Sequence, residues 1–335
     1  MQYRVLGKSG LRVSVLGLGG IPIQRIDKPG TAALIDLLAE GGVNFIDTAR
    51  GYSVSEEYLG YALKGKRDRF ILASKSMSRT YEDMRRDIET TLRNLQTDHI
   101  ELYQLHNLPL KDFAKVFDDK GAARAIEDAI SQGLVGHLGA TFHSPKALHQ
   151  AVEQQLVETV MFPYNIVENQ GRDSFALARQ NNIGVIAMKP MAGGNITDGR
   201  LALRYILNDE NCTIAIPGMA ELPEAAENLH TAETISPLDS RELAEIEQWK
   251  IRLGGDFCRR CGYCAPCSAG IDIPGCFTMA NYVANYDLSD WARSRYMAFA
   301  AHAGDCTGCG KCEQRCPYNL PIRQKMSLVK ELFGK

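Results

Sequence analysis

The chain has 335 residues, a length that suits about two domains, or one large barrel with an appendage. Hydrophobic residues at 45% and charged residues at 23% are ordinary for a globular protein with a buried core. A net charge of −2 supplies no field to hold nucleic acid or an anionic membrane, so neither is expected as a partner. No run reaches the roughly 18 apolar residues of a membrane span. The opening Met1–Gly10 also lacks the apolar stretch of a secretion signal, and we expect a cytoplasmic protein. Ten cysteines are the one unusual count.

From the N-terminus, Tyr3–Leu6 and Leu11–Val13 flank Gly7-Lys8-Ser9-Gly10 and read as a hairpin. Eight short apolar runs follow: Val15–Leu18, Val43–Asp47, Phe70–Ala73, Ile100–Leu105, Val135–Ala140, Val157–Phe162, Gly184–Met188 and Thr213–Ile216. Helical patterns separate them, over Tyr81–Leu95, Ala122–Ser131, Pro145–Glu153, Arg172–Gln180 and Leu201–Leu207. Gly41, Gly133 and Asn182 stand where such helices end. Eight strand–helix units predict a closed (β/α)8 barrel of the TIM type, with an additional C-terminal domain. A Rossmann fold is the rival, but its G-x-G-x-x-G fingerprint fails at Gly17-Leu18-Gly19-Gly20-Ile21-Pro22, which ends on Pro.

Barrels of this type place chemistry at the C-terminal strand ends. Asp47, Lys75 and His106 close the second, third and fourth predicted strands, and Tyr52 lies one short loop past Asp47. A free tyrosine, with a pKa of about 10, is a reluctant acid at neutral pH. A neighbouring Lys75 ammonium stabilises the phenolate, Asp47 holds the lysine, and His106 orients a substrate oxygen. The set suits proton delivery to oxygen during a reduction.

These residues resemble the aldo-keto reductases. The resemblance is carried by Asn44-Phe45-Ile46-Asp47-Thr48-Ala49-Arg50-Gly51-Tyr52 with Ser55-Glu56, by Ser74-Lys75 and by Leu102-Tyr103-Gln104-Leu105-His106, and it spans about Tyr3 to Asn228. It implies a catalytic tetrad of Asp47, Tyr52, Lys75 and His106, with NAD(H) or NADP(H) across the barrel mouth. Cofactor contacts are then implied at Gly20, Thr141, Met188, Gly218, Glu227 and Asn228, the segment from Ile216 onward serving the phosphate and adenosine end. The chain departs from the family on that side. Thr141-Phe142 stands where the family has Ser-Asn, Met161 where it has Gln, and Met188 where it has an aromatic ring. Met219-Ala220-Glu221 offers no Ser or Arg to clasp a 2′-phosphate. NADH, a flavin or neither are the alternatives this leaves.

Nine of the ten cysteines lie from Cys258 onward, a clustering that points to metal rather than disulfides. We therefore expect domains at residues 1–252 and 253–335. Cys306, Cys309, Cys312 and Cys316-Pro317 form the ferredoxin run C-x2-C-x2-C-x3-C-P. Cys258, Cys261, Cys264 and Cys267 form a second run with an x2 final spacing. In two-cluster ferredoxins the fourth cysteine of each run serves the other cluster, which predicts two [4Fe–4S] centres. Cys258, Cys261, Cys264 and Cys316 would hold one; Cys306, Cys309, Cys312 and Cys267 would hold the other, with Cys276 as an alternative to Cys267. Phe277–Tyr286 and Ser289–His302 read as helices, and the tail resembles a helical dicluster ferredoxin. The whole chain thus resembles aldo-keto reductases that carry such a domain. The expected function is reduction of a carbonyl or conjugated small molecule by NAD(P)H or the clusters, with a redox partner such as a ferredoxin. Alternatives are an alcohol dehydrogenase working oxidatively, an electron-transfer subunit whose barrel is a docking scaffold, and clusters that are purely structural.

Overall fold

Strands β1 (Tyr3–Val5) and β2 (Arg12–Ser14) pair as an antiparallel hairpin, turning through Gly7 and Gly10 at φ of +57° and +70°. In the computed structural model, which describes residues 1–335, eight parallel strands follow. They are β3 (Leu18–Gly19), β4 (Phe45–Asp47), β5 (Ile71–Ser76), β6 (Ile100–Leu105), β7 (Val135–Thr141), β8 (Thr159–Pro163), β9 (Gly184–Met188) and β10 (Ile214–Ile216). Each pairs with the next in sequence order. Parallel bridges from Leu16 to Ala215 and from Gly19 to Gly218 join the last strand to the first. The barrel closes.

Helices α1 (Lys28–Glu40), α2 (Ser55–Ala62), α3 (Tyr81–Leu95), α4 (Phe113–Val116), α5 (Ala122–Ser131), α6 (Pro145–Glu153), α7 (Arg172–Gln180), α8 (Gly199–Leu207) and α9 (Leu222–Glu233) lie between and after the strands. Four of the helices predicted from periodicity, α3, α5, α6 and α7, have the predicted bounds. Side-chain caps start several of them: Asp27 accepts from the Gly30 N–H at 2.8 Å and Asp198 from the Leu201 N–H at 2.8 Å.

Alternation along each strand divides inward from outward side chains. Phe45, Ala73, Leu102, Met161, Ile186, Ile214 and Ile216 fill the barrel, and Leu6 and Val13 of the hairpin join that cluster. Leu6 is fully buried, and a Cβ on Gly184 would stand 2.7 Å from its Cδ1, so only glycine admits it. On β5 the same rule sends Ser74 outward to Glu56 and Lys75 inward. A charged group is thereby delivered to the barrel interior.

The chain divides into two units: residues 1–192 with 198–238, and residues 239–335 with 193–197. The second unit contains α10 (Ser240–Gly254), α11 (Ile273–Tyr286), α12 (Ser289–Met297), α13 (Lys311–Gln314) and α14 (Ile322–Phe333). Residues 193–197 group there because Asn281 donates to the Gly193 carbonyl at 3.0 Å and accepts from Asn195 at 3.1 Å. Its core gathers Ile273, Cys276, Tyr296, Ile322, Met326, Val329 and Phe333.

Periodicity predicts a helix to His302, but α12 ends at Met297. Tyr296 stacks on Phe333 at 4.1 Å, and its hydroxyl accepts from the Ala303 N–H at 2.8 Å. Seven further residues of helix would carry Ala303 about 10 Å away, so the tyrosine's packing turns the chain. No helix is long and apolar enough to cross a membrane.

Candidate active site

Asp47 ends β4, Lys75 is the penultimate residue of β5, and both point inward with 3% and 1% of their surface exposed. The Lys75 ammonium donates to Asp47 Oδ2 at 2.5 Å and to the Thr48 carbonyl at 2.8 Å. Burial raises the Asp47 carboxyl above its usual range and lowers the Lys75 ammonium, while their contact opposes both shifts. Lys75 Nζ also stands 4.9 Å from the centroid of the Tyr52 ring, whose edge-on neighbour is the His106 imidazole at 6.0 Å. The four residues of the predicted tetrad meet at one end of β4, β5 and β6.

The loop carrying Tyr52 is tied down by its backbone. The Thr48 N–H bonds the Ala73 carbonyl at 2.8 Å, Arg50 N–H the Lys75 carbonyl at 3.0 Å, and Tyr52 N–H the Ala49 carbonyl at 3.0 Å. Gly20 belongs to the same rim: its N–H bonds the Asp47 carbonyl at 2.7 Å, and a Cβ there would fall 2.6 Å from that oxygen.

Two further residues complete the polar side, and the strand-end pattern of the sequence does not single them out. Gln104 donates to Asp47 Oδ1 at 3.2 Å, holding the carboxylate oxygen that Lys75 leaves. Its position near the end of β6, two before His106, is the available signal. Glu56, 1% exposed, accepts from Ser74 at 2.9 Å, Thr91 at 2.8 Å and Asn94 at 3.2 Å, and pairs with Arg50. It braces both ends of the Tyr52 loop, since Arg50 and Glu56 flank that residue.

The opposite side of the rim is different. Met161 and Met188 belong to the apolar interior cluster, next to Ile186 and Ile216 in the strand register. Thr141 is buried and its hydroxyl accepts from the Asn107 N–H at 2.7 Å. Phe142 turns outward into the helix-facing core, 6.3 Å from the Phe113 ring. Gly218 is exposed beside Pro22; Glu227 is exposed on α9 and Asn228 is buried there. At the start of α9, Glu224 Oε2 accepts from the Ala220 N–H at 2.9 Å and the Glu221 N–H at 3.2 Å. A dinucleotide held in the family's way needs a polar contact for the carboxamide and free donors for phosphate. Met161 and Met188 offer no polar contact there, the Thr141 hydroxyl already accepts from Asn107, and Glu224 already holds the Ala220 and Glu221 N–H groups, so the lining departs from that arrangement.

In the second unit, Cys258, Cys261, Cys264 and Cys316 line one cavity. Cys267, Cys306, Cys309 and Cys312 line another. The fully buried Cys276 lines neither, and burial pushes its thiol up to about 12. No three of these thiols converge closely enough to share a single metal ion. Four thiols around each of two cavities are a donor set that fits an iron–sulfur cubane, which is wider than one ion. Gly308 and Gly310, at φ of +69° and +71°, shape the loop between the ligating positions.

Sequence comparison accords with this geometry. The aldo/keto reductase family profile matches residues 15–201, and a 4Fe-4S dicluster domain profile matches residues 257–321. The chain belongs to the aldo/keto reductase family and is an oxidoreductase with a 4Fe-4S domain. It is 30% identical to the uncharacterized oxidoreductase YrpG of Bacillus subtilis over 225 residues, covering 58% of this chain and 68% of that one. It is 29% identical to the aldo-keto reductase YhdN of the same organism over 238 residues, covering 63% and 68%. Among solved structures, the holo form of an aldo-keto reductase from Bacillus halodurans is similar, with a TM-score of 0.65 and 25% identity. That match covers 74% of this chain and 96% of the other.

Proposed function

We propose that the barrel reduces a carbonyl or conjugated small molecule, with Tyr52 as proton donor and with electrons entering through the cysteine-lined sites of the second unit. The observation that carries this reading is the Lys75 ammonium, bonded to Asp47 at 2.5 Å and set 4.9 Å from the Tyr52 ring. An ammonium at that position favours the phenolate and so eases release of the Tyr52 proton to a substrate oxygen. His106, edge-on to Tyr52, orients that oxygen, and Gln104 keeps Asp47 aimed at Lys75. Cysteine-ligated [4Fe–4S] centres supply single electrons, which suits an acceptor able to take them stepwise.

Two centres are proposed, held by Cys258, Cys261, Cys264 and Cys316 and by Cys267, Cys306, Cys309 and Cys312. Cys306 and Cys309 are exposed, so a carrier protein such as a ferredoxin could reach that side. We further infer a cytoplasmic location, where thiols stay reduced. The apolar lining at Met161 and Met188 favours one second reading, an electron-transfer subunit whose barrel is a docking scaffold.

The test is anaerobic purification, iron counting and a carbonyl and enone screen with viologen as electron donor. About eight iron per chain are expected, lowered in Cys267→Ala and kept in Cys276→Ala. Turnover of a carbonyl or enone supports the reductase reading. Reducible clusters without any such turnover favour the scaffold.

A further inference from the structure

The segment from Pro217 to Asn228 is where the resemblance puts a dinucleotide's phosphate end, and here it closes on itself. Helix α9 begins at Leu222, and backbone N–H groups at a helix start are the donors a phosphate uses. Two donors in the approach to it, on Ala220 and on the N-cap Glu221, are held by Oε2 of Glu224 at 2.9 and 3.2 Å. The other oxygen, Oε1, stands 3.9 Å from the Arg25 guanidinium. Arg25 ends the short turn Ile21–Arg25 after β3, the strand that closes the barrel against β10. One carboxylate thus holds both donors and faces the cation at this edge of the rim, and the exposed Glu221 adds a second negative charge.

We infer that Glu224 is a specificity-determining residue that excludes the 2′-phosphate of NADPH from this barrel. A phosphate arriving there has to displace Glu224 from two N–H groups and then sit beside two carboxylates. The cost falls on NADPH more than on NADH, because only NADPH carries the extra dianionic group. The inference deepens the proposed function and rests on its barrel site, in which electrons come from the second unit, but it concerns nucleotide binding alone.

The experiment is fluorescence titration of NADPH and NADH against the wild-type holoprotein, Glu224→Gln and Glu224→Ala. Glutamine removes the charge while keeping the capping hydrogen bonds; alanine also frees the two N–H groups. Wild type should bind NADPH no more tightly than NADH. Glu224→Gln should tighten NADPH several-fold and Glu224→Ala roughly tenfold or more, about 1.4 kcal/mol per decade, with NADH little changed. A wild type that prefers NADPH overturns the inference. So does an unchanged NADPH-to-NADH ratio in the variants, with Glu224→Gln deciding if alanine destabilises the helix. Viologen-driven turnover of the wild type is scored separately, so failure of the reductase reading leaves the nucleotide ratio intact as a measure of Glu224.

Discussion

The β4–β6 side of the barrel rim and the β8–β10 side share one strand-and-loop plan and differ in what their inward residues do. On the first side, Asp47, Lys75, Gln104 and the Thr48 carbonyl form one hydrogen-bonded group beneath Tyr52 and His106. On the second, Met161, Met188 and Ile216 present apolar surface, and the Ala220 and Glu221 N–H groups are held by Glu224. Burying a polar group is costly unless it is hydrogen-bonded, so Asp47, Lys75 and Gln104, joined by their mutual contacts, depend on one another. Methionine tolerates exchange because it fits irregular space without a specific partner. One side is therefore brittle, the other permissive.

Tyr52→Phe should break the comparison most sharply. It removes one hydroxyl and keeps the ring, so turnover should fall by about 10²–10⁴, with iron content and substrate binding unchanged. Full turnover in that variant would reduce the polar side to scaffold. His106→Gln, which disturbs orientation rather than proton supply, should retain more activity than Tyr52→Phe in the same assay.

Next in size is Lys75→Met, which leaves the buried Asp47 without its cation. Breaking such a pair typically costs about 3–5 kcal/mol, measurable by urea unfolding. The loss should depend on pH. Burial already raises the Asp47 carboxyl, and removing Lys75 removes the main opposing influence. A carboxyl whose folded pKa exceeds its unfolded one stabilises fully below the unfolded value, near about 4, and less as pH climbs through the folded value. The deficit of Lys75→Met relative to wild type should therefore shrink as pH falls from 7 toward 5. A deficit that grows on acidification would contradict the buried, raised carboxyl.

The smallest effect is expected across the barrel. Met161→Leu conserves volume in an apolar layer and should cost less than about 1.5 kcal/mol, with turnover unaltered. A large loss of activity there would mean that the apolar side takes part in the chemistry, and the contrast between the two sides would fail.

Much of this architecture is legible from local pattern. The eight apolar runs and the amphipathic periods of α3, α5, α6 and α7 repeat at short range, and burial of one face follows from that repeat alone. The residue types at the strand ends are legible for the same reason, because the last inward position of a parallel strand opens on the barrel mouth. Only tertiary structure decided that Gln104 holds Asp47, across 57 positions of sequence, and that Glu56 draws together Arg50, Ser74, Thr91 and Asn94. It likewise put Cys267 rather than Cys276 beside Cys306, Cys309 and Cys312, and left Cys276 in the core. The same holds for the outward turn of Phe142 and the end of α12 at Tyr296's hydrogen bond to Ala303. Periodicity specifies which face of an element is buried; it does not specify the group that face meets. A hydrogen bond forms where two groups come within about 3 Å, and for residues far apart in the chain that distance is set by the packed barrel and the helical core, not by their neighbours in sequence.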